Sequence, residues 1–369
     1  RDIDQLENTE LAAICDVDRA RADKFATMYG VPAFYDYKEL LENVDLDAVL
    51  IATPHYDHPP IALDAFDRGI HVLTEKPIAV HVQAAQEMIS GYEMAQQKYP
   101  DLVFAAIFQL RTFGFWQKIK SLIDEGELGR LMRTTWINTD WFRTQIYFDN
   151  GGWRATWKGE GGGVLLNQCP HNLDLFQWFV GMPNRVAGFA SIGKYHNIEV
   201  EDEVTGYFAY ENGMVGHFIT TTAESPGTNR LEIAGENGKL IFENGEITFF
   251  RNRESAFDAI KTSTKPFETV ENWKRDVPYE HHGQPGHRLI IENFANAILN
   301  GDQLIAPAVE GINSLMIGNA IMLSSFLGHP IDLPMDSEAY AAKLQDLITN
   351  SRFEKKFIES EIFDVGNSF

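Results

Sequence analysis

Short apolar runs alternate with helix-length stretches through the first hundred residues, and this alternation constrains the fold more than any other feature. Leu11-Ala12-Ala13-Ile14-Cys15 reads as a strand ending at Asp16. Asp18 then caps a helix to about Tyr29, and Gly30 stands where helices commonly stop. A second strand, Ala48 to Ala52, leads into a turn at Thr53-Pro54-His55 and a helix over roughly Pro60 to Arg68. The strand His71 to Thr74, a helix from about Val82 to Lys98 and the strand Leu102 to Phe108 follow. Apolar strands separated by helices pair in parallel, with helices on both faces. Such a doubly wound α/β sheet binds its ligand beyond the carboxyl ends of its strands.

A chain of 369 residues is too long for one ordinary core. The reading is a dinucleotide-binding domain over 1–112 and a second domain over 113–369, with a connecting helix from Gly114 to Leu128. From about Leu131 the runs alternate with period two, as in Leu131 to Ile137, Val204 to Tyr210 and Met214 to Thr222. Asn212-Gly213, Asn237-Gly238 and Asn244-Gly245 carry the hairpin signal. The second domain is therefore expected to be α+β, with an open, mostly antiparallel sheet. Its helices fall near Gly286 to Leu299 and Glu310 to Phe326.

A net charge of −22 with no basic block makes nucleic acid and anionic membrane poor partners. No apolar run approaches the ~18 residues that span a bilayer. Cys15 and Cys169 are the only cysteines, which suits a reducing, cytoplasmic setting. Asp16 fits the acidic position at the end of a dinucleotide fold's second strand, yet no G-x-G-x-x-G turn stands ahead of it. The expectation is that the first strand and the glycine turn precede Arg1.

Two constellations carry chemistry. Glu75-Lys76-Pro77 follows a strand at the rim where a doubly wound domain works, and Pro77 restricts the backbone of Lys76. Its bland alternative is a solvated loop lysine. Gly161-Gly162-Gly163 leads to Asn167, His171 and Asp174, and one helix over Asn167 to Val180 would put these and Trp178 on one face. The glycines would admit a flat cofactor ring, and an imidazole suits proton exchange with a hydroxyl. Its bland alternative is a core histidine.

In order and spacing these segments resemble the Gfo/Idh/MocA family of oxidoreductases. The resemblance runs through Ile51-Ala52-Thr53-Pro54-His55 with His58, the run Gly69 to Pro77, the Gly161 to Gly181 segment and Ile291 to Ile298. It implies a Rossmann-type NAD(P) domain and an α+β domain that makes a homodimer or homotetramer through its sheet. Lys76 and His171 correspond to the catalytic pair. The family's dehydrogenases commonly have Asp where this chain has Asn167, and an amide can position a hydroxyl but cannot accept its proton. The expected cofactor set is Asp16, Thr53, Pro54, His55, His58, Glu75, Lys76 and Pro77.

Asp16 accepts from ribose hydroxyls and repels a 2′-phosphate, so NAD is preferred, while Arg19 and Arg21 leave NADP open. The expected substrate set is Gln109, Arg111, Arg143, Tyr147, Trp153, Arg154, Asn167, His171, Tyr279 and His287, with Trp157 and His282 nearby. The histidines have no metal-ligand spacing, and no metal is expected. The expected reaction is hydride transfer between nicotinamide and a sugar, cyclitol or related polyol hydroxyl. NAD-dependent cleavage of a glycosidic bond and non-catalytic NAD sensing are the alternatives.

Overall fold

The computed structural model describes residues 2–281 and 283–356. By internal contacts the chain divides into two units, residues 1–118 with 279–314 and residues 119–278 with 315–369.

The first unit carries β1 (Ile14–Cys15), α1 (Arg19–Tyr29), β2 (Ala33–Phe34), α2 (Tyr37–Asn43), β3 (Ala48–Ile51), α3 (His58–Phe66), β4 (His71–Thr74), α4 (Val82–Gln96) and β5 (Phe104–Ala106). All its strand pairs are parallel, in two groups: β1 with β2, and β3-β4-β5. The sequence signals hold locally. Asp18 caps α1 by accepting from the Arg21 N–H, and Gly30 ends that helix at φ 70°, a conformation that favours glycine. Phe66, Tyr92 and Phe104 knit α3, α4 and β5 with ring centroids 5.0 to 5.4 Å apart.

The single boundary expected after residue 112 gives way to a returning segment. Ala106 donates its N–H to the Ala306 carbonyl, Gly286 donates to Thr112 Oγ1, and buried Arg111 pairs with Glu310 at 2.5 Å. These bonds join 279–314, including α10 (His287–Asn300), to the first unit. Sequence periodicity carries no signal for a segment that crosses back.

The second unit is built on one nine-stranded sheet. Its strands are β6 (Leu131–Asn138), β7 (Arg185–Ile192), β8 (Glu201–Ala209), β9 (Val215–Thr221), β10 (Asn229–Gly235), β11 (Gly238–Glu243), β12 (Glu246–Asn252), β13 (Asn272–Asp276) and β14 (Ile331–Asp332). Their order is β13-β12-β11-β10-β6-β9-β8-β7-β14, antiparallel except for β6 beside β9. Along β6 and β9 side chains alternate, so Trp136 and Phe218 are buried while Ile137 and Ile219 are only half so. Phe176 and Phe208 meet edge to face at 5.1 Å in the same core. The long helix α11 (Gly311–Leu327) lies close on β7: a Cβ at Gly188 would stand 2.3 Å from the Ile321 carbonyl oxygen.

The expected single helix over Asn167 to Val180 is two helices, α7 (Val164–Asn167) and α8 (Pro170–Val180), in a series that also includes α5 (Gly114–Asp124), α6 (Gln145–Asp149), α9 (Ala256–Thr262) and α12 (Ser337–Asn350). Pro170 has no N–H to continue the ladder and opens the second helix instead. Asn167 therefore does not share a helix with His171, Asp174 and Trp178.

Candidate active site

In the first unit the loops after β3 and β4 are tied to one buried ring. His58, 0 % exposed at the start of α3, lies 2.8 Å from the Thr53 carbonyl oxygen through Nε2 and 2.8 Å from that of Pro77 through Nδ1. Burial pushes the imidazole down, while the two carbonyl oxygens and nearby Glu75 and Asp57 pull the other way. With both nitrogens packed 2.8 Å from carbonyl oxygens and no exposed surface, His58 has no atom for a cofactor. The expected contact is corrected to a clamp that positions Thr53 and Pro77. His55 is also buried, its ring 6.0 Å from that of His58, and Pro54 is half-buried between it and exposed Thr53.

The Glu75-Lys76-Pro77 turn follows β4, with a cis bond between Lys76 and Pro77. Glu75 accepts from the Lys76 N–H at 3.3 Å and stands 3.8 Å from His287 Nε2. The fold thus brings His287 to this turn from far along the chain. Tyr279 goes elsewhere, packing edge-on against Phe115 and His281. His282 lies outside the described residues.

One further expectation in this unit changes. Arg111 spends its guanidinium on Glu310 and the Ile305 carbonyl oxygen, so it is a structural ion pair and not a substrate contact. Gln109 is buried with neither amide atom hydrogen-bonded among the described residues. At the end of β1, Asp16 accepts from the Asp18 N–H at 2.9 Å and from Arg21 at 3.0 Å, beside Val17, which is 89 % exposed.

In the second unit the glycine run is pressed against the protein itself. A Cβ on Gly163 would stand 2.0 Å from the Glu201 carbonyl oxygen, so this close approach is to β8 and not to a cofactor ring. The Glu201 carboxylate accepts from the Gly163 and Leu165 N–H groups at 2.8 and 3.0 Å. Burial pushes its pKa up to about 7 against these donors. The turn so fixed leads through α7 into α8, whose second residue is His171, 1 % exposed. Asp174 accepts from Gln177 at 3.2 Å.

Around Asn167 the structure gathers several of the expected substrate residues. Arg154 donates to the Tyr147 hydroxyl at 2.9 Å, and that hydroxyl is 3.4 Å from Asn167 Oδ1. Gln168 Nε2 reaches both, at 3.1 and 3.2 Å. The guanidinium of Arg154 lies over the rings of Tyr147 and Trp153, and that of Arg143 over Tyr147 and Trp141. Trp157, by contrast, is core, packed near Phe326.

Three groups here were missed from sequence. Glu160 hydrogen-bonds Asn167, Gln168 bridges Asn167 and Tyr147, and Lys355 donates to the Arg154 carbonyl at 2.6 Å. The one available signal was a charged residue set in the glycine run Gly159 to Gly163. Lys355 arrives 201 positions beyond Arg154, out of reach of any local pattern.

An oxidoreductase-family model with an NAD-binding Rossmann fold matches residues 2–99, and a GFO/IDH/MocA C-terminal domain model matches residues 116–241, together more than half the chain. The chain belongs to the Gfo/Idh/MocA family. Residues 2–99 of its first unit are the part that matches the NAD-binding Rossmann fold of that oxidoreductase family. An uncharacterised oxidoreductase of Synechocystis is 28 % identical over 64 % of this chain and 65 % of its own length. Levoglucosan dehydrogenase of Pseudarthrobacter phenanthrenivorans is 25 % identical over 82 % of this chain and 84 % of its own. The crystal structure of the WlbA dehydrogenase from Bordetella pertussis, in complex with NADH and UDP-GlcNAcA, is 26 % identical with a TM-score of 0.73, covering 89 % of this chain and 92 % of that one.

The residues of this Gfo/Idh/MocA chain suit the two ends of the dinucleotide. The Asp16 carboxylate, an acceptor at a strand's carboxyl end, matches ribose hydroxyls. Exposed Thr53 and the Glu75-Lys76 turn stand at the carboxyl ends of adjacent strands.

Proposed function

We propose that this protein moves a hydride between nicotinamide and a secondary hydroxyl of a sugar or cyclitol, with Lys76 and His171 as the catalytic residues. The nicotinamide supplies or takes up the hydride when bound. Lys76 offers an ammonium that stabilises negative charge developing on the reacting oxygen. The His171 imidazole takes the hydroxyl proton in oxidation and returns it in reduction. Asp16, Thr53 and the Glu75 turn hold the cofactor, with NAD preferred. Arg21 beside Asp16 leaves room for NADP.

The observation that carries the substrate class is the Asn167 cluster. Hydroxyl, amide and guanidinium groups converge with the ring faces of Tyr147 and Trp153 next to the helix that bears His171. Aromatic faces and convergent hydrogen-bonding groups are what a sugar ring requires. The names of levoglucosan dehydrogenase and of the WlbA complex with UDP-GlcNAcA point to the same class. A panel of sugars, cyclitols and polyols with NAD and NADP, followed by absorbance of the reduced nicotinamide, tests the reading. Turnover with at least one sugar or cyclitol is expected. Lys76→Ala and His171→Ala should each lower kcat by roughly 10²–10⁴. Near-wild-type turnover of either variant overturns its role, and no reduction by any compound favours an NAD-sensing protein.

The second-unit sheet is proposed as the surface that pairs copies into a homodimer or homotetramer. Phe189, 72 % exposed, and Tyr207 present an apolar patch on β7 and β8. A sedimentation mass equal to one chain would exclude this. Two free cysteines support a reducing cytoplasmic setting.

A further inference from the structure

His196 stands between two groups that can only accept. Its Nδ1 lies 3.1 Å from Asp202 Oδ2, and its Nε2 lies 2.9 Å from the Arg143 carbonyl oxygen. Asp202, 0 % exposed on β8, also accepts the Lys194, Tyr195 and His196 N–H groups at 2.9, 2.8 and 3.1 Å. With donors on every side this carboxyl is an ionised acceptor. Burial works against its charge, but His196 and the three N–H groups hold it below its ordinary value. Only a ring with hydrogen on both nitrogens donates to Asp202 and to Arg143 together. Burial opposes the imidazolium as well, yet Asp202 and the Arg143 carbonyl outweigh it and raise His196 above the ordinary 6.5. His58 meets two neutral carbonyl oxygens and burial wins there; the ring of His196 touches a carboxylate.

The ring joins two segments of the second unit. Arg143 donates its N–H to the Thr222 carbonyl at 2.8 Å while its own carbonyl faces His196. Asn197 donates its N–H to Gln145 Oε1 at 2.9 Å and accepts from Gln145 Nε2 at 3.3 Å. Phe148, 4 % exposed, has its ring centroid 4.7 Å from that of His196. The short helix α6, which carries Tyr147, is thus docked on the 193–198 loop. Other charged groups nearby are engaged elsewhere: Lys194 with Glu203, Asp149 with Gln145, Glu224 with Thr139, and Asp140 with Asn138 and Asn229. The Arg143 guanidinium lies over the rings of Trp141 and Tyr147. Among the described residues Asp202 is the charged side chain that touches the imidazole.

We propose that His196 is a pH-dependent latch: its imidazolium ties the 143–149 segment to the 193–198 loop, and loss of the Nε2 proton releases the Arg143 carbonyl. The neutral ring keeps its Nδ1–H on ionised Asp202, so the Nε2 lone pair then faces a carbonyl oxygen and two acceptors confront each other. The latch is complete below pH 6.5 and is lost as pH rises through the raised folded value. The Asn197–Gln145 pair, the Thr222 bond and buried Phe148 remain, so α6 loosens without leaving the sheet. An effect on substrate rests on the reading of Tyr147 as a sugar contact; the latch itself does not.

The test is hydrogen exchange of the peptide spanning 143–150, corrected for the intrinsic rate, between about pH 5.5 and 9 in wild type, H196Q and H196A. Wild-type protection is expected to fall roughly tenfold as pH rises, the worth of about one hydrogen bond. H196Q has no proton to lose and should show protection that is level with pH, and H196A should be level and low throughout. Nuclear magnetic resonance of the ring carbons should place the His196 titration above 6.5. Level wild-type protection, an equal fall in H196Q, or a ring that titrates at or below 6.5 refutes the latch. Should neither variant fold, the two wild-type measurements decide. KM for the panel sugar of highest turnover should rise over the same range more in wild type than in H196Q. If exchange shifts and KM does not, the latch stands and the reading of Tyr147 as a sugar contact fails.

Discussion

Glu201 holds Gly163 from two sides: its carboxylate accepts the Gly163 N–H at 2.8 Å, and its own carbonyl oxygen occupies the space beside the Gly163 Cα. A Cβ there would stand 2.0 Å from that oxygen, an approach real Cβ atoms do not make. Gly163→Ala should therefore cost about 1–3 kcal/mol or more, since the obstacle is backbone. Chemical denaturation reads this directly. A variant as stable as wild type would show that the turn has room to shift.

The same carboxyl group gives a pH dependence with a definite sign. Below its ordinary value of 4.5, Glu201 is protonated in both folded and unfolded chains; the folded value is about 7. As pH rises through that window the unfolded chain ionises first, so this group's stabilising contribution is lost, by on the order of 3 kcal/mol at most. Glu201→Gln removes the titration and leaves one of two N–H groups facing an amide NH2, at a cost of roughly 1–3 kcal/mol. Unfolding free energies at pH 5 to 7.5 should fall less steeply in the variant. Parallel slopes would place the titrating group elsewhere.

His58 joins the two loops that carry Thr53 and Lys76. Replacing it with Leu keeps the apolar contacts but removes the one N–H that a neutral ring donates to these carbonyl oxygens, which should cost on the order of 2 kcal/mol. On the proposed reading, in which the loops rather than the ring meet the cofactor, NADH affinity measured by calorimetry should weaken without a change in binding stoichiometry. Unchanged affinity would separate the clamp from the cofactor site.

Arg111 and Glu310 bind the returning segment to the first unit at 2.5 Å, the guanidinium buried and the carboxylate partly exposed. Arg111→Ala should destabilise by about 2–3 kcal/mol, below the figure for a fully buried pair because water already reaches Glu310. Limited proteolysis should then cut within 279–314 before other parts of the first unit. Substrate KM should move less than stability does, the reverse of what a substrate-contacting arginine would show.

Much of the first unit was legible because its signals are local. Asp18 and Gly30 bracket α1 as their chemistry dictates, and His71 to Thr74 is strand as its apolar run implies. The Gly161 to His171 segment was singled out as a candidate site by its residues but misread in shape. Pro170 was visible, yet periodicity alone favoured one continuous helix, and the break appears only where α8 begins.

The sequence by itself determined the family, the two-domain α/β and α+β architecture, and the residues Lys76, Asn167 and His171 as those to examine, since these rest on ordered motifs and periodicity. Tertiary structure alone decided which polar side chains are committed inward and to whom. Arg111 turned from substrate contact to ion pair, His58 from cofactor contact to clamp, and Asn167 gained Glu160. The reason is physical: a hydrogen bond is fixed by distance, direction and burial, and its partner can lie seven or 199 positions away with nothing local to announce it.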